Sequence, residues 1–407
     1  MPTRRHILTS LAAATAMATG LVFSAQAADP VKVALIAPLS GPWARQGELM
    51  KVGAQLAVKD INAAGGIKAL GGAPMELVLI DAGDTTEKAK NAAQRMVSEY
   101  PDLVGATGSW LSSFTLSVTE VTERAELPML TVSYADQITS RGFKYVFQTA
   151  PSASRMVGES MPSLMELATQ VTGKKPASTG LILDNTASVV AFVKPMRETM
   201  LPSLGIEIKF DETFTPPLSD ATSMLQRARS TRPDFIIMGA SNVPDAKLLL
   251  EKFNEFGLNG KMPVVSNGAA MGAPALLNNV GPELLENLMT IVANWGKKGQ
   301  EDLVARFKKE TGEPWMTQDS ISTYGDMQVF AYALEKAGKA DKKAVAEAIR
   351  AIDVTDGPAQ YYSGTRLKFD EQGRNLDAKL VIVQWQNGEP VAVFPPEAAM
   401  AAPIWTK

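Results

Sequence analysis

No cysteine occurs anywhere in the 407-residue sequence, and the single histidine is His6. The chain therefore holds no disulfide, no thiolate nucleophile and no cysteine to carry a lipid, so it is expected to be free rather than anchored. Past His6 there is no imidazole either. That excludes Ser-His-Asp and Cys-His nucleophilic catalysis, and zinc sites built on imidazole or thiolate, in any fold. Only a carboxylate-based hydrolase would remain among the enzymes considered, and the expectation is that the protein is not an enzyme. A G-x-G-x-x-G pattern and a Walker lysine are also missing, so no nucleotide cofactor is expected, and no metal. The balance is mildly acidic, 40 basic against 43 acidic residues. With no basic patch interleaved with aromatics, nucleic acid is not an expected partner.

What is present begins with a leader. Arg4 and Arg5 precede an apolar run from Ile7 to Phe23 that is short and alanine-rich for a membrane span. Ala25-Gln26-Ala27 fits a small-x-small cleavage site. The expectation is a signal peptide over 1–27, cleaved after Ala27, that places the mature chain in the periplasm. Thr3-Arg4-Arg5-His6-Ile7-Leu8 also fits a twin-arginine signal, and an ordinary secretory signal fits as well. Past the leader no segment is long and apolar enough to cross a bilayer.

The mature chain alternates strand and helix patterns, which predicts an α/β fold with parallel sheets. Val31 to Pro38 reads as a buried strand, and Leu49, Val52, Gly53, Leu56, Ala57 and Ile61 repeat at helical spacing until Gly65-Gly66. Further strands are expected at Met75–Asp81, Leu103–Thr107 and Met129–Ser133. Asp84 with Glu87 reads as a capping box opening a helix to Glu99. The pattern then restarts, with strands at Thr179–Asp184, Asp234–Gly239 and Val264–Ser266. Residues 300–352 read as mainly helical, and Arg366–Phe369 and Lys379–Trp385 as late strands. Two successive doubly wound units predict two lobes.

In open parallel sheets, ligands bind beyond the carboxyl ends of the strands. That rule marks the loops at 40–46, 108–113, 133–136, 185–188, 239–242 and 266–268. They are rich in Ser, Asn, Gly and Trp, and they lead into helix N-termini, which favour an anion. Gly108 to Ser113 is the most suggestive, with serines for a carboxylate and Trp110 as an apolar wall. Any one of these serines or asparagines also fits a plain helix cap; the whole set at strand ends points to a ligand. Trp43 and Gln46 join the candidates from the first loop, with Asn185 and Ser188 from the fourth. Asp81 and Asp84 read as a strand end and a cap.

Val33-Ala34-Leu35-Ile36-Ala37-Pro38-Leu39-Ser40-Gly41-Pro42, Gly47, and Ala57 to Ile67 resemble the opening signature of the branched-chain amino-acid (Leu/Ile/Val) binding proteins, the type I periplasmic solute-binding proteins of ABC importers. The likeness runs on through Leu127–Thr131, Arg141-Gly142, Pro233–Phe235 and Thr323-Tyr324. It implies two lobes joined by a three-crossover hinge near Thr149, Ala293 and Asp377. Lobe 1 would then be 28–149 plus 294–377, and lobe 2 would be 150–293 plus 378–407. It implies a protein that closes on a small molecule and docks on a permease–ATPase complex in the inner membrane; presentation to a membrane sensor is the other possibility. Nothing in the sequence suggests an obligate oligomer, so a monomer is expected. Carried over, the family's carboxylate-binding serine falls at Ser112, after Trp110. Its Ala-Ala-Thr loop falls at Ser133, Tyr134 and Ala135, its second-lobe tyrosine near Ser241, and its ammonium-pairing acid at Asn267. The asparagine is a departure that leaves open a non-amino-acid carboxylate or amide as ligand, unless Asp136 or Asp184 compensates.

Overall fold

The protein is described here from a computed structural model covering residues 28–406, so the expected leader lies outside the described residues. Two sheets organise the chain. In the first, β1 (Val31–Ala37), β2 (Met75–Asp81), β3 (Gly105–Gly108), β4 (Met129–Thr131) and β5 (Val146–Gln148) are all parallel, in the order β2-β1-β3-β4-β5. β1 is apolar along its length because both of its faces are covered. Val33, Leu35 and Ala37 join one core, while Ala34 and Ile36 join the other. The second core is closed by α2 (Thr86–Glu99) and α3 (Ser112–Arg124), and the first mainly by α1 (Ala44–Ala63) and helices from later in the chain.

After β5 the chain enters α4 (Ala153–Thr172) and the second lobe. There β6 (Ser178–Asp184), β7 (Glu207–Phe214), β8 (Phe235–Gly239), β9 (Val264–Asn267) and β10 (Met289–Val292) pair in parallel. Between them lie α5 (Ala187–Pro195), which continues through a π turn into the short α6 (Leu201–Ser203), then α7 (Thr222–Thr231), α8 (Val243–Glu255) and α9 (Pro274–Val280). Past β10, α10 (Glu301–Thr311), α11 (Gln318–Ala337) and α12 (Lys342–Arg350) return to the first lobe, followed by the small pair β11 (Asp353–Val354) and β12 (Leu367–Lys368). Finally β13 (Val381–Gln386) and β14 (Glu389–Phe394) complete the second sheet, in the order β14-β13-β10-β9-β8-β6-β7.

β13 runs antiparallel to both its neighbours, β10 and β14, while the other strands of the sheet pair in parallel. The β13–β14 hairpin is made by an Asn-Gly turn: Asn387 and Gly388 both take positive φ, 55° and 80°, as a tight hairpin of this kind requires. The capping box expected at Asp84 is corrected by one residue. Thr85 Oγ1 accepts from the Lys88 backbone N–H at 3.2 Å, and Asp84 pairs with the Lys88 ammonium at 2.7 Å.

α11 is buried on nearly every side because it lies between α1 and the rest of the first lobe. Gly53 of α1 meets the backbone of Ser320, and the hydroxyls of Ser320 and Thr323 donate to the carbonyls of Leu49 and Met50 at 2.8 Å each. One first-lobe segment crosses over. Trp315, just before α11, is buried in the second core, edge-on to Trp385 at 5.4 Å, with its indole N–H on the Gly272 carbonyl at 2.9 Å.

A methyl group on Gly53 would lie 2.1 Å from the Ser320 carbonyl oxygen, so α1 and α11 would have to move apart. Gly53→Ala is expected to cost about 1–3 kcal/mol or more in urea unfolding. Gly158→Ala, at an exposed position of α4 with open space around it, is expected to be stabilising by roughly 0.5–1 kcal/mol.

Candidate ligand-binding site

Between the lobes lies a cavity with about 450 Å³ of empty space including its open mouth. It sits where the strand-end rule puts it, beyond β3 and β4 on one side and β8 and β9 on the other. The β3 end is held by an unusual backbone. Gly108, Ser109 and Trp110 take φ of 119°, 65° and 50°, three successive residues in the left-handed region, where the last two are disfavoured. Glycine is required first, since a Cβ on Gly108 would lie 2.2 Å from the Ile36 carbonyl oxygen. The turn is fixed by Ser109 N–H donating to Ile36 O at 2.6 Å and by the Ser133 hydroxyl donating to Trp110 O at 2.8 Å. Its result is Trp110 at the cavity wall and the first turn of α3 directly behind it.

Four helices begin around this cavity. Leu111 at the start of α3, Ser188 and Val189 in the first turn of α5, Ser241 just before α8, and Gln318 opening α11 all line it. The dipoles of these helix starts favour negative charge in the space between them. Asp184 offsets two of these ends. Its carboxylate accepts from the Thr186 N–H at 2.9 Å, the Thr186 hydroxyl at 2.6 Å and the Ser241 N–H at 2.6 Å. Asp319, in the first turn of α11, offsets a third. The end of α3 has no acid in its first turn. Instead it is met from the other lobe: Ser188 Oγ accepts from the Ser112 N–H at 3.1 Å and donates to Ser112 Oγ at 2.9 Å. The lobes are therefore closed on each other.

Of the expected site residues, Trp110, Ser133, Tyr134, Ser188, Ser241 and Asn267 line the cavity together. Ser112 is fully buried one layer behind, and Ala135 supports it by donating its N–H to Ser112 Oγ at 3.2 Å. Asn185 is corrected: it is exposed, and its amide donates to Thr215 Oγ1 at 2.7 Å in the loop after β7. Trp43 and Gln46 also fall outside the lining. Trp43 packs edge-on against Phe114 at 5.6 Å, and Gln46 is buried in the first turn of α1. Gln318 was missed from sequence. It is locked in place, its Oε1 accepting from Tyr134 Oη at 2.5 Å and from the Ala293 N–H at 2.6 Å.

The lining holds no ionisable side chain other than the Tyr134 phenol, whose proton burial holds on well above the usual tyrosine range. Asn267 is buried with Oδ1 unpaired, and so is the hydroxyl of neighbouring Ser266. Such atoms are costly to leave without a partner. No group of three or more potential metal-ligating side chains occurs among the described residues, and no described helix is long and apolar enough to cross a membrane.

A profile for periplasmic binding proteins matches residues 30–390. A Leu/Ile/Val-binding protein homolog of Brucella melitensis is 28% identical over 393 residues, covering 93% of this chain and 94% of that one. The fold superposes on a leucine-binding protein of Thermotoga maritima with a TM-score of 0.75 at 21% identity, covering 89% of this chain and 97% of the other. It also superposes on a solute-binding protein of R. palustris in complex with benzoate, with a TM-score of 0.75 at 16% identity, covering 92% and 98%.

Complete burial pushes the Asp319 carboxyl up from 3.8 to about 7, opposed by the Trp110 indole N–H and by the charge of Arg45. The folded state thus holds this proton more tightly than the unfolded chain. Its contribution favours folding below about pH 4 and is lost as pH rises through about 7. Asp319→Asn is therefore expected to match the parent near pH 4 and to exceed its stability by up to a few kcal/mol near pH 8 in urea unfolding. Comparing variant with parent separates this effect from Asp184 and Asp326, which burial also pushes up, the latter to about 6.

Proposed function

The chain belongs to the periplasmic binding protein family, and on that footing we propose that it is the substrate-binding component of an ABC importer. Its cargo is an amino acid of the branched-chain type or a related small carboxylate. The cargo is captured between the two lobes in the periplasm and passed to a permease–ATPase complex of the inner membrane. The observation that carries this reading is the contact between Ser112 and Ser188 at the one helix start without a balancing acid. The group that accepts from the α3 N–H is a neutral hydroxyl. A carboxylate in that place would take the Ser112 N–H and hydroxyl as charge-assisted hydrogen bonds and the dipole of a 13-residue helix besides. Ligand and second lobe then compete for, or share, the same donors, and affinity for the closed state drives closure.

The hinge we propose lies near Thr149, Ala293 and Asp377. Side-chain bonds between the neighbouring segments support it. Asn375 donates its N–H to Gln148 O and its amide to Thr149 O. Asn294 donates to Tyr361 O at 2.7 Å and accepts from Ser363 Oγ at 3.2 Å. These links hold the crossing segments side by side while the lobes move about them. The protein works as a binder rather than an enzyme on this reading, and as a monomer.

A second reading of the cargo is favoured by one residue. Asn267 offers only a neutral carbonyl to the cavity, and Asp184 already accepts three hydrogen bonds. An α-ammonium would meet no free charge there, so a carboxylate or amide without one fits that wall better.

Amino acids, aliphatic and aromatic carboxylates and small amides, screened by thermal shift on refolded ligand-free protein, should include some that raise Tm. For those that do, Ser112→Ala is expected to weaken binding about tenfold or more in calorimetry. Its cost to fold stability should be on the order of 1 kcal/mol. Unchanged affinity would remove Ser112 from the site.

A further inference from the structure

Gln318 presents a polar group to the cavity in an orientation that the protein itself fixes. It stands at the start of α11, lines the cavity, and is only 3% exposed. Its Oε1 accepts from the Ala293 N–H at 2.6 Å and from Tyr134 Oη at 2.5 Å. A backbone N–H can only donate, so the amide oxygen is the atom turned to Ala293 and the NH2 group is turned the other way. Among the described residues nothing accepts from Nε2, and Nε2 is not sealed in the interior with the buried unpartnered atoms. It opens on the cavity with two N–H donors. The neighbouring polar side chains of this wall are already engaged: the Ser133 hydroxyl donates to Trp110 O at 2.8 Å, Tyr134 to Gln318 itself, and the Trp110 indole to Asp319 at 3.0 Å.

We infer that Gln318 is a specificity-determining residue of the ligand site, and that the ligand carries, besides its carboxylate, a neutral oxygen acceptor, the carbonyl of an oxo or amide group, which takes the N–H groups of Gln318. The inference rests on the reading of the protein as a carboxylate binder and names a second recognition group. An amide that loses its water to a closed cleft must find an acceptor or be left unsatisfied. An aliphatic chain against Nε2 leaves both donors unmet, whereas a carbonyl oxygen with two lone pairs meets them. The acceptor is neutral because a second charge finds no counterpart. The lining has no cationic side chain, and the helix starts of α5, α8 and α11 already have Asp184 and Asp319. A wall built to hydrogen-bond a ligand oxygen rejects the analogue that lacks it more strongly than an apolar wall rejects a missing methylene.

Calorimetry on the refolded, ligand-free protein near pH 8 tests this with matched probes: γ-oxovalerate and δ-oxohexanoate against valerate and hexanoate, and para-acetylbenzoate against benzoate. At least one oxo acid is expected to bind about tenfold or more tighter than its parent. Gln318→Met, which removes the donors at nearly the same side-chain length, should bring that ratio to about one. A purely structural role for Gln318 would weaken oxo acid and parent alike and leave the ratio where it was. Gln318→Glu keeps an oxygen for the Ala293 N–H and, ionised, offers the ligand no donor. It should abolish the preference as well, so a poorly folding Met variant leaves the test intact. Glutarate, with a second charge in place of the carbonyl, should bind no better than valerate. If every parent acid binds as tightly as its oxo partner, if the ratio survives both substitutions, or if glutarate binds tightest, the inference fails while the carboxylate reading stands. If no carboxylate of any kind binds, both fail.

Discussion

The close approach of α1 and α11 at Gly53 and Ser320 is the contact on which the arrangement of the cleft depends. Only glycine lets the two backbones meet there, and once they meet the position of α11 along α1 is fixed by hydroxyls seated on the Leu49 and Met50 carbonyls. That register brings the start of α11 to the cleft. Gln318 then reaches Tyr134 and the Ala293 amide, and Asp319 reaches the indole of Trp110. A helix whose chain position lies far from the first sheet thus supplies part of the wall that the sheet's own loops leave open.

The charges around the cleft form a system with one position left unfilled. Helix starts at α5 and α8 are answered by Asp184, and that of α11 by Asp319, both buried acids whose protons are held more tightly than usual. The start of α3 is answered only by a serine from across the cleft. A space that favours negative charge between neutral walls is selective by subtraction. It has little to offer a free cation, and it offers a carboxylate the donors of a helix start that Ser188 now occupies.

Much of this was legible in the sequence because it follows from local pattern. The apolar run at Val31, the restart at Thr179 and the serine-rich loops after the strands all declare themselves within a few residues. The strand-end rule then selects Trp110, Ser133, Ser188 and Ser241 without any knowledge of the ligand. What was not legible came from three-dimensional neighbours. Gln318 and Asp319 belong to the cleft because α11 docks on α1, and nothing near residue 318 in sequence says so. Asn185 follows a strand as Ser188 does, yet its amide turns to Thr215 and it stays at the surface. The antiparallel edge at β13 and β14 was signalled by Asn387-Gly388, a pair that the expectation of parallel strands passed over.

Trp315 alters how the two lobes are coupled. It comes from a segment continuous with α11, yet its ring is packed with Trp385 in the second core, and the two indole N–H groups hold the adjacent carbonyls of Gly272 and Met271. Those carbonyls belong to the short turn that follows Gly268 at the cavity wall. A protein joined only by three crossing segments can swing like a door on its frame. One that also carries an aromatic peg seated in the opposite half behaves as a door with a pivot pin, its rotation confined to axes that pass close to the peg. Any shift of the peg would be passed directly to the turn at the cavity wall.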